Sequence, residues 1–508
     1  MLARLHSLTL LGIDAVPCEV EVDVLSKGLA PPTIVGLPDP AVRESIDRIR
    51  SALFNCGYSF PKTRSVINLA PADLKKEGPA FDLPIALGLM LGSRQMASEI
   101  ARDYLIAGEL ALDGSLRPVK GAISMAILAR QKKRRGILLP AANAREAAMV
   151  EGIDVIGVDR LNQAVAFLAG ELPIDPTVVD VQEALAQASR YDVDFADVRG
   201  QEHAKRALAI AAAGGHNILM IGPPGSGKTM LAKRLPTILP PLSPEESLET
   251  TRVYSSAGKL PPETSLLAVR PVRSPHHSAS APALIGGGAV PQAGEVSLAH
   301  HGVLFLDEFP EFPRSILETL RQPMEDGQVT IVRANGRVTF PARFMLVAAM
   351  NPCPCGYYTD AQRRCRCSPH QIETYVSRLS GPLVDRIDMH VDVPAVPFVE
   401  LRSQRDGIDS TTLRGQVLAA RDRQHERFRS HAMLNAHMSA RQVKRTCSLD
   451  AAGESILKQA INEMGLSARA HDKILRVART IADLEGRENI AVEHLAEAVQ
   501  YRKLDRRL

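Results

Sequence analysis

The sequence predicts an α/β core with a parallel sheet, preceded by an α+β domain and followed by a small all-α domain. Three observations carry this. Short apolar runs at 218–221, 303–306 and 344–349 each end in a glycine-rich or polar segment, as strands buried on both faces do when their working groups sit at their C-terminal ends. Residues 1–170 mix alternating stretches with amphipathic ones, and residues 396–508 show 3.6-type spacing with no good strand.

At 508 residues the chain is too long for one ordinary core. A hydrophobic content of 45% and a charged content of 23% are those of a globular chain. A net charge of +4 is too small to argue for nucleic acid, so any such role rests on local clusters. With no Trp and 4% aromatics, a single-strand binder built on base stacking is disfavoured. The most apolar stretch, near Leu208 to Ile221, is broken by Gly214, Gly215, His216 and Asn217, so no membrane span is expected.

In the first domain, 19–25 and 64–69 read as strands. Residues 39–56 read as one amphipathic helix through Val42, Ile46, Ile49 and Leu53. The opening MLARLHSLTLLGIDAV faintly resembles a signal peptide, but it runs into an alternating stretch with no small-residue cleavage site. It is expected to be the domain's first strand. Residues 136–140 and 155–158 are later strands with a helix between them. Residues 171–194 carry Pro and acids and are expected to link two domains. The core is placed at 195–395. Lys228 and Asp307 are farther apart than two βαβ units of about 30 residues require, so 243–299 reads as an insertion with Gly286-Gly287-Gly288 at a loop tip. Helices are expected at 412–431, 450–464, 467–485 and 491–502.

The segment Gly222-Pro223-Pro224-Gly225-Ser226-Gly227-Lys228-Thr229 matches G-x-x-x-x-G-K-[ST] between a predicted strand and helix. Its glycines let backbone N–H groups approach phosphates at a helix N-terminus. Lys228 is placed to reach the β- and γ-phosphates of ATP, and Thr229 to hold Mg²⁺. Asp307 is expected to complete the Mg²⁺ shell and Glu308 to polarise the attacking water. The plainer alternative for that pair is a solvated strand end. Three further residues fit a ring ATPase: Asn351 to orient the water, Arg386 as an arginine finger offered to a neighbouring subunit, and Arg469 to report loss of the γ-phosphate. For the two arginines the alternative is an ordinary surface ion pair.

Seven cysteines are odd in number, and Cys353, Cys355, Cys365 and Cys367 crowd into one short stretch. Four thiolates so close suit a closed, structural Zn²⁺ site in a reducing compartment, with His370 as a substitute ligand. Free thiols are the alternative. The cytoplasm is the expected location.

The loop, the run Gly302-Val303-Leu304-Phe305-Leu306-Asp307-Glu308, Asn351-Pro352 and 378–386 together resemble the AAA+ ATPases of the magnesium-chelatase-like group. Arg270-Pro271-Val272-Arg273-Ser274-Pro275-His276-His277 and 294–301 narrow the likeness to the ComM/YifB family, and Ser467-Ala468-Arg469 with 474–480 resembles that group's C-terminal lid. The resemblance covers essentially the whole chain. It implies a hexameric ATP-driven DNA translocase promoting branch migration of recombination intermediates during uptake of foreign DNA. Residues 1–170 resemble the Lon-protease fold, but Ala80 stands at its serine position and Ile123 at its lysine position. A Ser–Lys mechanism is therefore not expected, and the domain would assemble the ring or contact DNA.

Residues 328–341 alternate around Asn335-Gly336, the strongest short hairpin signal. In related rings a hairpin at this place points into the pore, so Arg333 and Arg337 are candidate DNA contacts, with a structural hairpin as the alternative. Lys132-Lys133-Arg134-Arg135 would add a phosphate contact if it is not simply a solvated face. Two rival functions stay open, a chelatase-type motor for metal insertion, against which the long N-terminal domain argues, and an ATP-dependent protein remodeller. The latter would use aromatic pore loops, and Tyr254, Tyr357 and Tyr358 sit in no obvious pore motif.

Overall fold

A computed structural model describes the chain apart from residues 29, 189–190, 262–263, 289, 334–335, 359, 361–362, 398–406, 432, 466 and 503–508. The chain divides into two compact units. One comprises Met1–Ala188 with Ser243–Ala268, the other Ser189–Leu242 with Val269–Leu508.

The first unit is built on a seven-stranded mixed sheet. The order is Thr33–Val35, Ser65–Ala70, Asp14–Val24, Leu2–Leu11, Tyr104–Ile106, Gly136–Pro140, Asp154–Val158. Leu2–Leu11 and Asp14–Val24 form a hairpin whose register leaves only Gly12 and Ile13 between them, and Gly12 takes φ +67°. The N-terminal segment is thus the domain's first strand, as expected. The helix Asp82–Gly92 packs on this hairpin and is buried along nearly its whole length. A Cβ on Gly88 would lie 2.6 Å from Val22 Cγ2, so the glycine sets how closely helix meets sheet.

The helix expected over 39–56 is divided into Pro40–Arg43 and Ser45–Asn55. Arg48 explains the break. Its guanidinium donates to the Ala41 carbonyl at 3.0 Å and to both oxygens of buried Asp82 at 2.8 and 2.9 Å, so the first turn is held by a side chain. Burial pushes the Asp82 carboxyl up to about 6, against the opposing hydrogen bond from Arg48.

Residues 243–268 lie, by sequence, inside the stretch expected as an insertion, yet they fold with this first unit. Their helix Pro244–Ser256 begins with a capping box from Ser243 and Glu246 and packs on the helix Ala122–Gln131. Arg252 donates to Ser124 Oγ at 2.9 Å and pairs with Asp14, and the Ser255 hydroxyl donates to buried Glu146.

The second unit holds a five-stranded sheet in which every pairing is parallel. The order is Val272–Arg273, Val303–Leu306, Met345–Met350, Ile218–Ile221, Met389–Asp392. The expected insertion 243–299 therefore needs correcting at its second half. Val272–Arg273 is an edge strand of the sheet, a two-residue pairing too short to show as an apolar run. Gly286–Gly287 pairs with Gln292–Ala293 in a small ribbon.

Among the described residues, five α-helices, Ser410–Phe428, Ala440–Thr446, Ala451–Met464, Ala468–Leu484 and Val492–Gln500, follow the last strand. They share one core with it: Leu413, Val417, Ile474 and Ile481 cluster with Ile218, Met220, Phe305, Val347 and Val391. The alanine-rich helix Glu202–Gly214 lies in that core, its small side chains allowing close packing. Among the described residues no helix is long and apolar enough to cross a membrane.

Candidate nucleotide site

The glycine-rich loop leaves the strand Ile218–Ile221 and enters the helix Lys228–Ile238. Gly225 and Gly227 take φ +79° and +91°, which L side chains rarely adopt. A Cβ on Gly222 would lie 2.0 Å from the Val393 carbonyl oxygen, so this position admits no side chain without parting the loop from the next strand. Lys228 is 8% exposed, and its ammonium is folded into the loop. It donates to the carbonyls of Gly222 at 2.8 Å and Pro223 at 2.9 Å, and reaches Asn351 Oδ1 at 3.4 Å. Burial lowers its pKa while Asp307 opposes the shift.

Thr229 Oγ1 donates to Asp307 Oδ2 at 2.7 Å, which unites a hydroxyl and a carboxylate from two strand ends. That donor set suits a hard divalent cation such as Mg²⁺. Ser226 Oγ, buried within the loop, has no protein partner, as a group reserved for a phosphate oxygen would. Glu308, at φ +51°, turns the chain sharply. Its N–H donates to Asp307 Oδ1 at 2.9 Å, and its carboxylate lies exposed. Lys228, Thr229, Asp307, Glu308 and Asn351 thus stand at the C-terminal ends of three adjacent parallel strands. The arrangement can hold a triphosphate and its cation and present a carboxylate beside them.

The two arginines lie differently. Arg386 is 13% exposed at its side chain and pairs with Glu325 at 2.5 Å. Arg469, at the start of the helix Ala468–Leu484, is 68% exposed and pairs with Asp385 at 3.4 Å. Arg469 thus pairs with the residue next to Arg386, and Arg386 with the helix that precedes the hairpin; neither pairs with the loop. A buried bridge joins the same segments, Lys473 Nζ to Asp388 Oδ1 at 3.0 Å.

Sequence reasoning missed two polar residues at this site. Gln201 Nε2 donates to the carbonyls of Ser226 at 3.2 Å and Pro394 at 2.5 Å, tying the loop to the end of the strand Met389–Asp392. Its signal is faint, a polar residue just before the helix Glu202–Gly214. His277 Nδ1 lies 3.0 Å from Glu308 Oε2. It was visible only within a family-like stretch, because nothing in the sequence reveals that the edge strand delivers it to Glu308.

In the hairpin, Gln328–Arg333 pairs with Gly336–Pro341, and Gly336 lies opposite Arg333. Gly336 is therefore part of the ladder, and Asn335, which the Asn-Gly signal placed in the turn, lies outside the described residues. Arg333 and Arg337 are both exposed. The four cysteines converge: their sulfurs all lie within 4.8 Å of one another, with Cys353–Cys355, Cys353–Cys365 and Cys355–Cys365 at 3.3, 3.7 and 3.6 Å. Tetrahedral sulfurs at a Zn–S distance of about 2.3 Å stand about 3.8 Å apart, so the cluster fits that ion closely. Backbone N–H groups of Arg366 and Tyr357 lower the Cys355 thiol well below its ordinary value.

Fold and site together define a magnesium-chelatase-like AAA+ ATPase. Residues 194–401 match the family described as magnesium chelatase, subunit ChlI. Residues 20–143 match subunit ChlI of Mg-chelatase, and 407–502 match its C-terminal region. The chain is 46% identical to competence protein ComM of Haemophilus influenzae, over 100% of this chain and 98% of that one. It is 45% identical to protein YifB of Escherichia coli over the same shares. The 38 kDa magnesium-chelatase subunit of Rhodobacter capsulatus is 25% identical over 59% of this chain and 84% of its own. The chain belongs to the ComM/YifB family.

Proposed function

We propose that this chain is a cytoplasmic, hexameric, ATP-driven DNA translocase that promotes branch migration of recombination intermediates during natural transformation. The observation that carries the reading is the 46% identity to competence protein ComM over 100% of this chain and 98% of that one. Within the loop Gly222–Thr229, Lys228 and the backbone N–H groups of Gly225, Gly227, Lys228 and Thr229 hold the phosphates of ATP, and Asn351 and Glu308 orient and polarise water. Thr229 and Asp307 hold Mg²⁺, which when bound neutralises charge developing on the phosphates. Arg386 completes the site of the neighbouring subunit, and Arg469 senses the γ-phosphate from the helical lid. Arg333 and Arg337, exposed on a paired ribbon, track DNA phosphates. The cysteine cluster holds a structural zinc.

The first unit is read as an inactive Lon-like domain. Ala80, in the turn Pro79–Phe81, carries no hydroxyl, and the buried Ile123 carries no amine, so neither offers a nucleophile or a base. Magnesium insertion is the weaker reading. The ChlI-like match at 20–143 means an N-terminal domain does not by itself exclude it, but the chelatase subunit aligns with only 59% of this chain. Protein remodelling is weaker still: Tyr254 is buried within the helix Pro244–Ser256, and Tyr357 and Tyr358 fall between Cys355 and Cys365 in sequence, outside the hairpin 328–341.

The test is ATP-dependent branch migration of a four-way junction, run beside Lys228→Ala. Movement by the native chain and none by the variant is expected. A native chain that hydrolyses ATP yet leaves the junction unmoved overturns the reading.

A further inference from the structure

Between Glu308 and the hairpin the chain carries Glu311, Glu318 and Glu325, at intervals of seven residues. Each finds its partner in the stretch that ends at Arg386. Glu311 takes Arg378 Nη1 at 2.8 Å. Glu318 accepts from the Ser380 hydroxyl and from Arg321 at 2.8 Å, and these bonds hold its carboxyl below the usual range. Glu325 Oε1 stands 2.5 Å from Arg386 Nη2. The three acids form a seam between the segment that leads into the hairpin and the segment that bears the proposed finger.

At the end of the seam Arg386 is folded down onto its own chain. Nη1 donates to the Pro382 carbonyl at 2.7 Å, and Nε is buried without a partner. A guanidinium so engaged is not displayed to a neighbouring subunit. Glu325 is the penultimate residue of the helix Arg321–Asp326. Gly327 caps that helix at φ +63°, and the next residue, Gln328, opens the hairpin. No element intervenes, so a displacement of the hairpin acts directly on Glu325. Its carboxylate is 54% exposed, and an ion pair with one half-exposed partner is weak enough to exchange.

We propose that Glu325 is a positioning residue that latches Arg386 in the isolated chain and releases it when nucleic acid displaces the hairpin. Binding in the pore thereby arms the ATP site of the adjacent subunit. The inference rests on the readings of Arg386 as a finger and of 328–341 as the DNA-contacting hairpin. The paired acids also give the seam a direction, because Glu311 and Glu318 fix the base while only Glu325 adjoins the moving ribbon.

The experiment is steady-state ATP turnover of the full-length chain with and without a single-stranded oligonucleotide. Glu325→Gln keeps the shape and removes the charge. It is expected to raise DNA-free turnover about two- to fivefold, the factor that loss of a partly exposed ion pair corresponds to. The stimulation ratio should fall towards unity while KM for ATP stays the same. Glu325→Asp, which retains the charge, should keep most of the native ratio, and it serves as the reporter if the glutamine variant does not fold. A variant whose DNA-free turnover is unchanged or lower, with the native stimulation ratio, overturns the latch. Arg386→Ala separates this from failure of the underlying reading: native turnover in that variant overturns the finger itself, whereas loss of turnover leaves the finger standing and makes the Glu325 result decisive.

Discussion

Lowering the pH should loosen the nucleotide-binding unit through one histidine. His216 lies two residues before the strand that feeds the phosphate loop and is wholly buried. Nε2 is 2.8 Å from Thr480 Oγ1, while Nδ1 has no hydrogen-bond partner and stands 4.0 Å from Asp388. Burial depresses its pKa from 6.5 to about 4, with Asp388 opposing and His437, Arg476 and Lys473 reinforcing the shift. The unfolded chain therefore takes up the proton first as pH falls. Stability from this group is complete above about 6.5, is lost as pH drops towards 4, and changes no further below that. With those two values the loss is about 2 kcal/mol between pH 7.5 and 5, approaching about 3 kcal/mol below 4. The assay is urea unfolding of the full chain at fixed ionic strength across this range, beside His216→Gln, whose amide can still meet Thr480. His390 and His437 are also depressed and contribute to both curves, so the difference between them isolates His216. Parallel curves for the two proteins would refute the reasoning.

Replacing Arg333 and Arg337 together with Ala should weaken DNA binding and flatten the log–log salt dependence by about 1.5, as expected for two lost phosphate contacts; an unchanged slope removes the hairpin from the interface. Protein purified without chelator should carry about one zinc per chain, and Cys355→Ser should lower both the zinc content and the melting temperature, because four thiolates close the coordination sphere. Metal analysis well below one per chain would rule the site out. Lys473→Met should destabilise the second unit by about 3–5 kcal/mol by stranding Asp388 in the interior, and Asp388→Asn added to it should recover part of that. A single variant as stable as the native chain would show the bridge to be dispensable.

The three buried strands and the loop were legible because each obeys a local rule: an apolar run of strand length, then the residues its chemistry needs. Asp307, Glu308 and Asn351 could be placed for the same reason, since a parallel sheet delivers strand ends to one edge. The edge strand Val272–Arg273 was not legible. Two residues carry no period, and their pairing with Val303–Leu304 is set entirely by tertiary contact. His277 was lost with it. The fate of residues 243–268 was equally hidden. The helix Pro244–Ser256 was not read from the sequence, and only Arg252, Ser255 and their distant partners Asp14, Ser124 and Glu146 say which unit it joins. The break at Glu44 likewise depends on Arg48 meeting Asp82, 34 positions on.

The connectivity of the second unit bears on how hydrolysis is felt elsewhere. The helix that starts with the loop lysine ends at Ile238, and after Leu242 the chain leaves for the first unit and returns at Val269, three residues before the strand that delivers His277 to Glu308. The strand ending in Asp307 and Glu308 continues through the three seam acids into the hairpin, and the hairpin returns into the strand ending at Asn351. Glu308 and Asn351, proposed to act on the attacking water, are thus each covalently next to a segment with another role. A shift of the strand ends on loss of a phosphate would therefore pass first to the hairpin and to the cysteine cluster after Asn351. Packed strands transmit such shifts because their interiors are dense and incompressible. The buried bridge from Lys473 to Asp388 extends the same argument to the C-terminal helices, since it fixes the helix bearing Arg469 to the segment bearing Arg386.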